Sequence, residues 1–126
     1  MKKIITTKNA PAPIGPYNQA LLVKDILYTS GQIAINPISG ELVQDTIEIE
    51  TEQVMQNIKG ILDAVNMTFD NVFKTTIFLS DMQNFAKVNK VYGSFFNDEI
   101  APARETVEVA NLPKYVRVEI SVMATK

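Results

Sequence analysis

Between Arg104 and Val122 the chain alternates apolar and polar side chains in two runs, interrupted once. In the first run, Glu105 to Ala110, Val107 and Val109 share one face. Asn111-Leu112-Pro113-Lys114, rich in turn formers, breaks the pattern. In the second run Val116, Val118, Ile120 and Val122 fall on one side, with Tyr115, Arg117, Glu119 and Ser121 on the other. Successive side chains of a strand point to opposite faces, so this spacing predicts two half-buried strands joined by a tight loop. It also sets a guanidinium, Arg104, at the start of one strand and a carboxylate, Glu119, late in the other. Arginine offers a planar fork that grips a carboxylate through two parallel hydrogen bonds, and a held glutamate can orient or deprotonate water. Charges also decorate solvated sheet faces, and periodicity alone favours that plainer account.

Composition narrows the chemistry more by absence than by content. The 126 residues suit one domain, residues 1–126, and 46% of them are apolar, enough for a real core. A net charge of -2 and scattered lysines predict no nucleic-acid or anionic-membrane partner. Met1-Lys2-Lys3-Ile4-Ile5 is followed at once by polar residues, so no signal-peptide core forms, and no apolar run reaches membrane-span length. A cytoplasmic location is expected. Cysteine is absent, which removes disulfides, thiolate nucleophiles and Cys-type zinc sites. Histidine is absent too, which removes Ser-His-Asp chemistry and the commonest metal ligand. Only a carboxylate magnesium or calcium site is left open, and neither EF-hand spacing nor a phosphate-cradling glycine loop occurs. Catalysis, if any, falls to Glu, Asp, Lys, Tyr, Arg, Ser/Thr or backbone groups.

In chain order, Lys2 to Thr6 predicts a short strand, and the prolines at 11, 13 and 16 make Asn9 to Pro16 an irregular connector. Gln19 to Val23 and Ile26 to Ser30 read as a hairpin around Lys24-Asp25, and Asn36 to Gly40 as a turn. Asp45 to Val65 predicts a helix capped by Asp45 with Glu48, carrying an apolar stripe of Val54, Ile58, Ile61, Leu62 and Val65, with Met55 as core filler and Asn66 as a left-handed stop. Glu48, Glu50 and Glu52 are expected to form a solvated acidic first turn. Val72 to Leu79 predicts a strand, and Phe85, Val88, Val91, Tyr92 and Phe95 a second helix to about Phe96. Two amphipathic helices cover only one face of such a sheet, so the other must meet water or another subunit. By residue type alone Tyr17 packs a strand start, Gly31 relieves a bend or admits a ligand, and Asn89 is an exposed helical residue.

Several separated segments resemble the RidA/YjgF family of enamine/imine deaminases, in the family's order and over nearly the whole chain: IGPYNQA, TSGQIAINPISGE, KTTIFLSDMQNFAKVNKVY, PAR, VEVANLP and VRVEI. The resemblance implies a chorismate-mutase-like α+β fold, a mixed sheet with two helices on one face, assembled as a homotrimer whose sheets line the interior. It implies hydrolysis of 2-iminobutanoate and 2-iminopropanoate to 2-oxo acids and ammonia, with no metal and no organic cofactor. Arg104 is then the carboxylate clamp and Glu119 the residue that holds the attacking water. Backbone groups of Gly31 and Thr106 anchor imine and water, while Ser30, Tyr17 and Asn89 shape a cleft at a subunit interface, Tyr17 coming from the neighbouring chain. The chain departs from the family in having Thr106 where cysteine is frequent, Glu105 where small residues are common, and a short loop before Pro102. Branches without the arginine are not expected to be deaminases; Arg104 is present here. A metabolite-sensing trimer using the same clamp without turnover is the rival expectation. An RNA-cleaving function, from older family descriptions, is disfavoured by the acidic balance and the missing histidine.

Overall fold

The computed structural model describes residues 1–126. Six strands form one mixed sheet: β1 (Lys2–Ile5), β2 (Ala20–Val23), β3 (Ile26–Thr29), β4 (Val72–Leu79), β5 (Ala103–Glu108) and β6 (Val118–Thr125). Their spatial order is β1-β2-β3-β6-β4-β5, with β4 and β5 parallel and every other pair antiparallel. Helices α1 (Ile47–Asp63) and α2 (Phe85–Gly93) supply the cover for one face. No helix is long and apolar enough to cross a membrane.

The main core lies between that face and the helices. Val54, Ile58, Ile61 and Leu62 of α1 meet Ile77, Leu79, Val118, Ile120 and Val122, with Met55 filling between them. Strand alternation then leaves Lys74, Thr76, Phe78, Glu119, Ser121 and Met123 on the opposite, open face. Gly60 sits within α1 despite a helix cost of about 1 kcal/mol relative to alanine. A Cβ there would come within 2.8 Å of the Asn9 carbonyl carbon, so glycine is what lets the proline-rich connector lie against the helix.

Three expectations need correction. The strands flanking Asn111 to Lys114 are not a hairpin: β4 lies between β5 and β6. The connecting segment does not merely turn; Leu112 and Val116 bury themselves with Ile33 and Ile35 in a second, smaller core, against which Phe78 and Val109 pack. Burial of the connector thus competes with, and displaces, direct pairing of the two strands. The second correction concerns the helix ends: the cap of α1 is Thr46, whose hydroxyl accepts from the Ile49 N–H, rather than Asp45, and α2 stops at Gly93 rather than near Phe96.

The third correction concerns Glu50, which is fully buried rather than solvated. Arg117 donates to it twice, from Nε to Oε1 at 2.7 Å and from its backbone N–H to Oε2 at 2.9 Å. Arg117 Nη2 also donates to the Gln44 carbonyl at 2.8 Å. The signal was present in the sequence: Glu50 lies four residues before Val54, on the same helical stripe. Removing one member of a buried pair strands the other, although Arg117 retains some access to water. Glu50→Ala is expected to destabilise the fold by roughly 2–4 kcal/mol, measured by urea denaturation.

Candidate functional site

Glu119 rises from the open face of β6, opposite Phe78 of β4. Beside it runs the segment after β3, held by reciprocal backbone hydrogen bonds between Gln32 and Ile120 at 2.8 and 3.1 Å. That pairing brings Gly31 against the carboxylate. A Cβ on Gly31 would lie 2.6 Å from Glu119 Cδ and 2.9 Å from Cγ, so only glycine leaves the glutamate its place. Together with Tyr17, Pro11, Ile14 and Pro113 they line a small cavity of about 60 Å³. Burial pushes the Glu119 carboxyl above its ordinary value of 4.5, and no salt bridge offsets this. A half-buried carboxylate so shifted exchanges protons closer to neutrality than an exposed one.

The frame around this cavity is polar and closely tied. Gln19 accepts from the Thr7 N–H at 2.7 Å and donates to the carbonyls of Thr7, Ala10 and Pro11, which clasps the proline-rich connector over the site. Asn57 of α1 donates to the Ile33 and Ile35 carbonyls, both at 3.0 Å, fixing the strap that carries Gly31. Pro113 borders the cavity at a turn in which Lys114 and Tyr115 both take left-handed backbone conformations, with φ of 55° and 54°. Sequence reasoning missed Gln19 and Asn57, which hold the segments around the cavity by hydrogen bonds to backbone groups. Gln19 follows Asn18 and Asn57 follows Gln56, so neither stands out from its neighbours in the sequence.

Arg104 lies elsewhere. It pairs in register with Thr75, whose side chain is buried under the helices, so its guanidinium points to the helical face. There Nη1 donates to Asn89 Oδ1 of α2 at 2.6 Å. Arginine has no acceptor, so the amide oxygen must be the atom facing it. No carboxylate pairs with Arg104. It shares a cavity of about 370 Å³ with Asn89, Tyr92, Gly93, Phe96, Asp98, Ala101 and Pro102. Burial raises the Tyr92 phenol, countered in part by the neighbouring Thr75 hydroxyl and the Arg104 guanidinium. Glu105 lies away from Arg104: alternation turns it to the open face, where Lys74 pairs with it at 2.7 Å.

Arg104 and Glu119 of one chain therefore occupy opposite faces of the sheet, and each has its own cavity. Tyr17 and Gly31 go with Glu119, and Asn89 goes with Arg104. Thr106 shares the Arg104 face two residues further along β5, its hydroxyl buried and without a partner. Ser30 lines neither cavity; its hydroxyl donates to the Asn18 carbonyl and ties the Tyr17 segment to the end of β3. No group of three or more acidic side chains is clustered to hold a metal ion.

Comparison with known proteins agrees with this framework. The family model described as Endoribonuclease L-PSP matches residues 7–126. A protein of Lactococcus lactis named AldR, a proposed regulator, is 52% identical over 122 residues, covering 97% of this chain and 96% of that protein. The 2-iminobutanoate/2-iminopropanoate deaminase of Escherichia coli K12 is 43% identical over 128 residues, covering 100% of this chain and 99% of the enzyme. Among solved structures, the Rid family protein YyfA of Yersinia pestis superimposes with a TM-score of 0.96 at 49% identity, each chain covered completely. The chain belongs to the RidA/YjgF family, the Endoribonuclease L-PSP family of the matching model.

The Glu119 shift has a thermodynamic consequence. A carboxyl whose folded pKa is raised holds its proton longer in the native state, so folding is penalised as pH rises above 4.5 and fully so once the folded value is passed. Glu119→Gln is therefore expected to melt at a higher temperature than wild type near pH 7. The gain should vanish toward about pH 4, where the wild-type carboxyl is protonated in both states. Calorimetric melts across that range check the sign.

Proposed function

We propose that the protein hydrolyses 2-imino acids such as 2-iminobutanoate and 2-iminopropanoate to 2-oxo acids and ammonia. The observation that carries this is the pair of separated half-sites. One holds a guanidinium with no carboxylate partner, Arg104, and the other a carboxylate raised by burial, Glu119. A single chain keeps them on opposite faces of the sheet, so a complete site needs two copies. β5 is the sheet's outer strand and presents one unpaired backbone edge beside Arg104, the kind of edge a second subunit covers. A homotrimer with its sites at subunit interfaces supplies both halves, and the name of the Escherichia coli relative supplies the reaction class.

In that site the Arg104 fork takes the substrate carboxylate and fixes the adjacent imine carbon. Glu119 accepts a proton from water as the water oxygen bonds to that carbon and the C=N electron pair moves to nitrogen. It then returns the proton to the amine of the tetrahedral intermediate. Glu119 then takes the hydroxyl proton as the carbonyl forms, the C–N bond breaks and ammonia leaves, and ammonia carries that proton away, so one protonated imine and one water give one 2-oxo acid and one ammonium ion. The Gly31 and Thr106 backbone groups anchor imine and water, Tyr17 and Asn89 complete the cleft, and Ser30 acts at one remove by tying the Tyr17 segment to the end of β3. The protonated imine is electrophilic enough that the scheme uses no metal or organic cofactor. Because Glu119 must be ionised to act as base, kcat/KM should rise with pH through a limb lying above 4.5.

A non-catalytic sensor of 2-oxo acids is the second reading, favoured by the regulator-type name of the Lactococcus lactis relative. It shares the Arg104 clamp and differs at Glu119. The two are separated by generating 2-iminobutanoate with an amino-acid oxidase and trapping it with semicarbazide. Wild type is expected to suppress semicarbazone formation, and Arg104→Ala to lose at least about 100-fold in kcat/KM. No suppression by wild type, with 2-oxobutanoate still bound, overturns the deaminase in favour of the sensor. Asn89→Asp would set a competing carboxylate against Arg104, and we expect KM to rise roughly 10-fold with a much smaller change in kcat.

A further inference from the structure

Arg104 is held by rings rather than by an acid. Its guanidinium carbon lies 5.5 Å from the Phe85 ring centroid and 5.2 Å from that of Tyr92. Both fall inside the range of about 6 Å over which the negative face of a ring attracts a cation. Phe85, Asn89 and Tyr92 follow one another at i, i+4 and i+7 along α2, so one helix face presents ring, amide oxygen and ring to the guanidinium. The other arginine shows the alternative: Arg117 donates from Nε to the buried Glu50 carboxylate and from Nη2 to the Gln44 carbonyl, so its charge already has a counter-ion.

A ring contact differs from an ion pair in what it leaves free. It attracts the cation without supplying a carboxylate acceptor, and Asn89 occupies only one of the five donors. The charge stays uncompensated while part of its hydration is stripped away, and both effects favour an incoming carboxylate. The platform is also stiff. Tyr92 is buried and its ring packs 4.7 Å from that of Phe96, which in turn lies 5.3 Å from Phe69. The Tyr92 hydroxyl is buried beside that of Thr75, and the two make no hydrogen bond of good geometry.

We infer that Phe85 and Tyr92 are positioning residues that hold the Arg104 guanidinium, without a counter-ion, for a substrate carboxylate. This rests on the proposed 2-imino acid site, and it names residues that act through Arg104 without touching the substrate.

The test compares Phe85→Leu, Tyr92→Leu and Tyr92→Phe with Arg104→Ala. KM and kcat are read in the imine-trapping assay, and the Kd for 2-oxobutanoate by calorimetry. Loss of either ring is expected to raise KM and Kd about 3- to 10-fold with kcat within about twofold. Tyr92→Phe, which keeps the ring, is expected to restore wild-type values. If Tyr92→Leu fails to fold, Phe85→Leu, at a partly exposed position, decides. Unchanged KM and Kd in the leucine variants, alongside lost binding in Arg104→Ala, overturns the inference; so does a Tyr92→Phe defect as large as that of Tyr92→Leu. Wild type that binds 2-oxobutanoate through Arg104 without hydrolysing imine overturns the deaminase alone, and Kd then judges the platform. Absence of any Arg104-dependent binding overturns both.

Discussion

Glu50 is the only charged side chain the chain buries completely, and Arg117 is its answer. The pair joins the first turns of α1 to the residue just before β6, and it forms across 67 positions of sequence. Because a carboxylate without water must be paired and hydrogen-bonded, this contact constrains where β6 can begin. Just before it Val116 drops into the smaller core with Ile33, Ile35 and Leu112, and Glu119 emerges two residues after Arg117 on the open face. The position of the candidate base is thus tied to a buried electrostatic contact on the other side of the sheet.

The same sheet separates the two candidate reactive groups. Period-two alternation sends Glu119 to one face, and the register of β5 on β4 sends Arg104 to the other. Neither half resembles a finished active site. The Glu119 cavity has a carboxylate and no cationic side chain, and the Arg104 cavity has a guanidinium, with Asp98 as its one carboxylate. A sheet covered on one face only, with a free outer strand at β5, leaves room for another copy to bring the halves together.

Much of the architecture was legible from pattern. The α1 stripe, β4 from Val72 to Leu79, the Lys24 turn and the left-handed Asn66 stop all rest on local spacing and backbone preference, and the structure shows them where those signals fall. The misses share one cause. Asn111-Leu112-Pro113-Lys114 carries turn residues whether or not its neighbours pair with each other, so a hairpin and a crossover look alike in one dimension. Glu50 was misjudged because a charged residue is ordinarily exposed, and its partner was too distant in sequence to be visible. For the site, the motifs singled out Arg104, Glu119, Tyr17, Gly31 and Asn89, but not that they divide between two cavities.

By itself the sequence determined the element types, the one-sided helical cover, the exclusion of thiol and imidazole chemistry, and the family. These follow from periodicity, composition and motif order, all of which are local or additive. Only the tertiary structure decided that β4 separates β5 from β6, that Arg117 neutralises Glu50, that Gly31 makes room for Glu119, and that aromatic rings hold Arg104. Each of these joins residues far apart in the chain. Strand order, buried-charge pairing and ring–cation contact are chosen by competition among packings, and that competition has no signature at any single position.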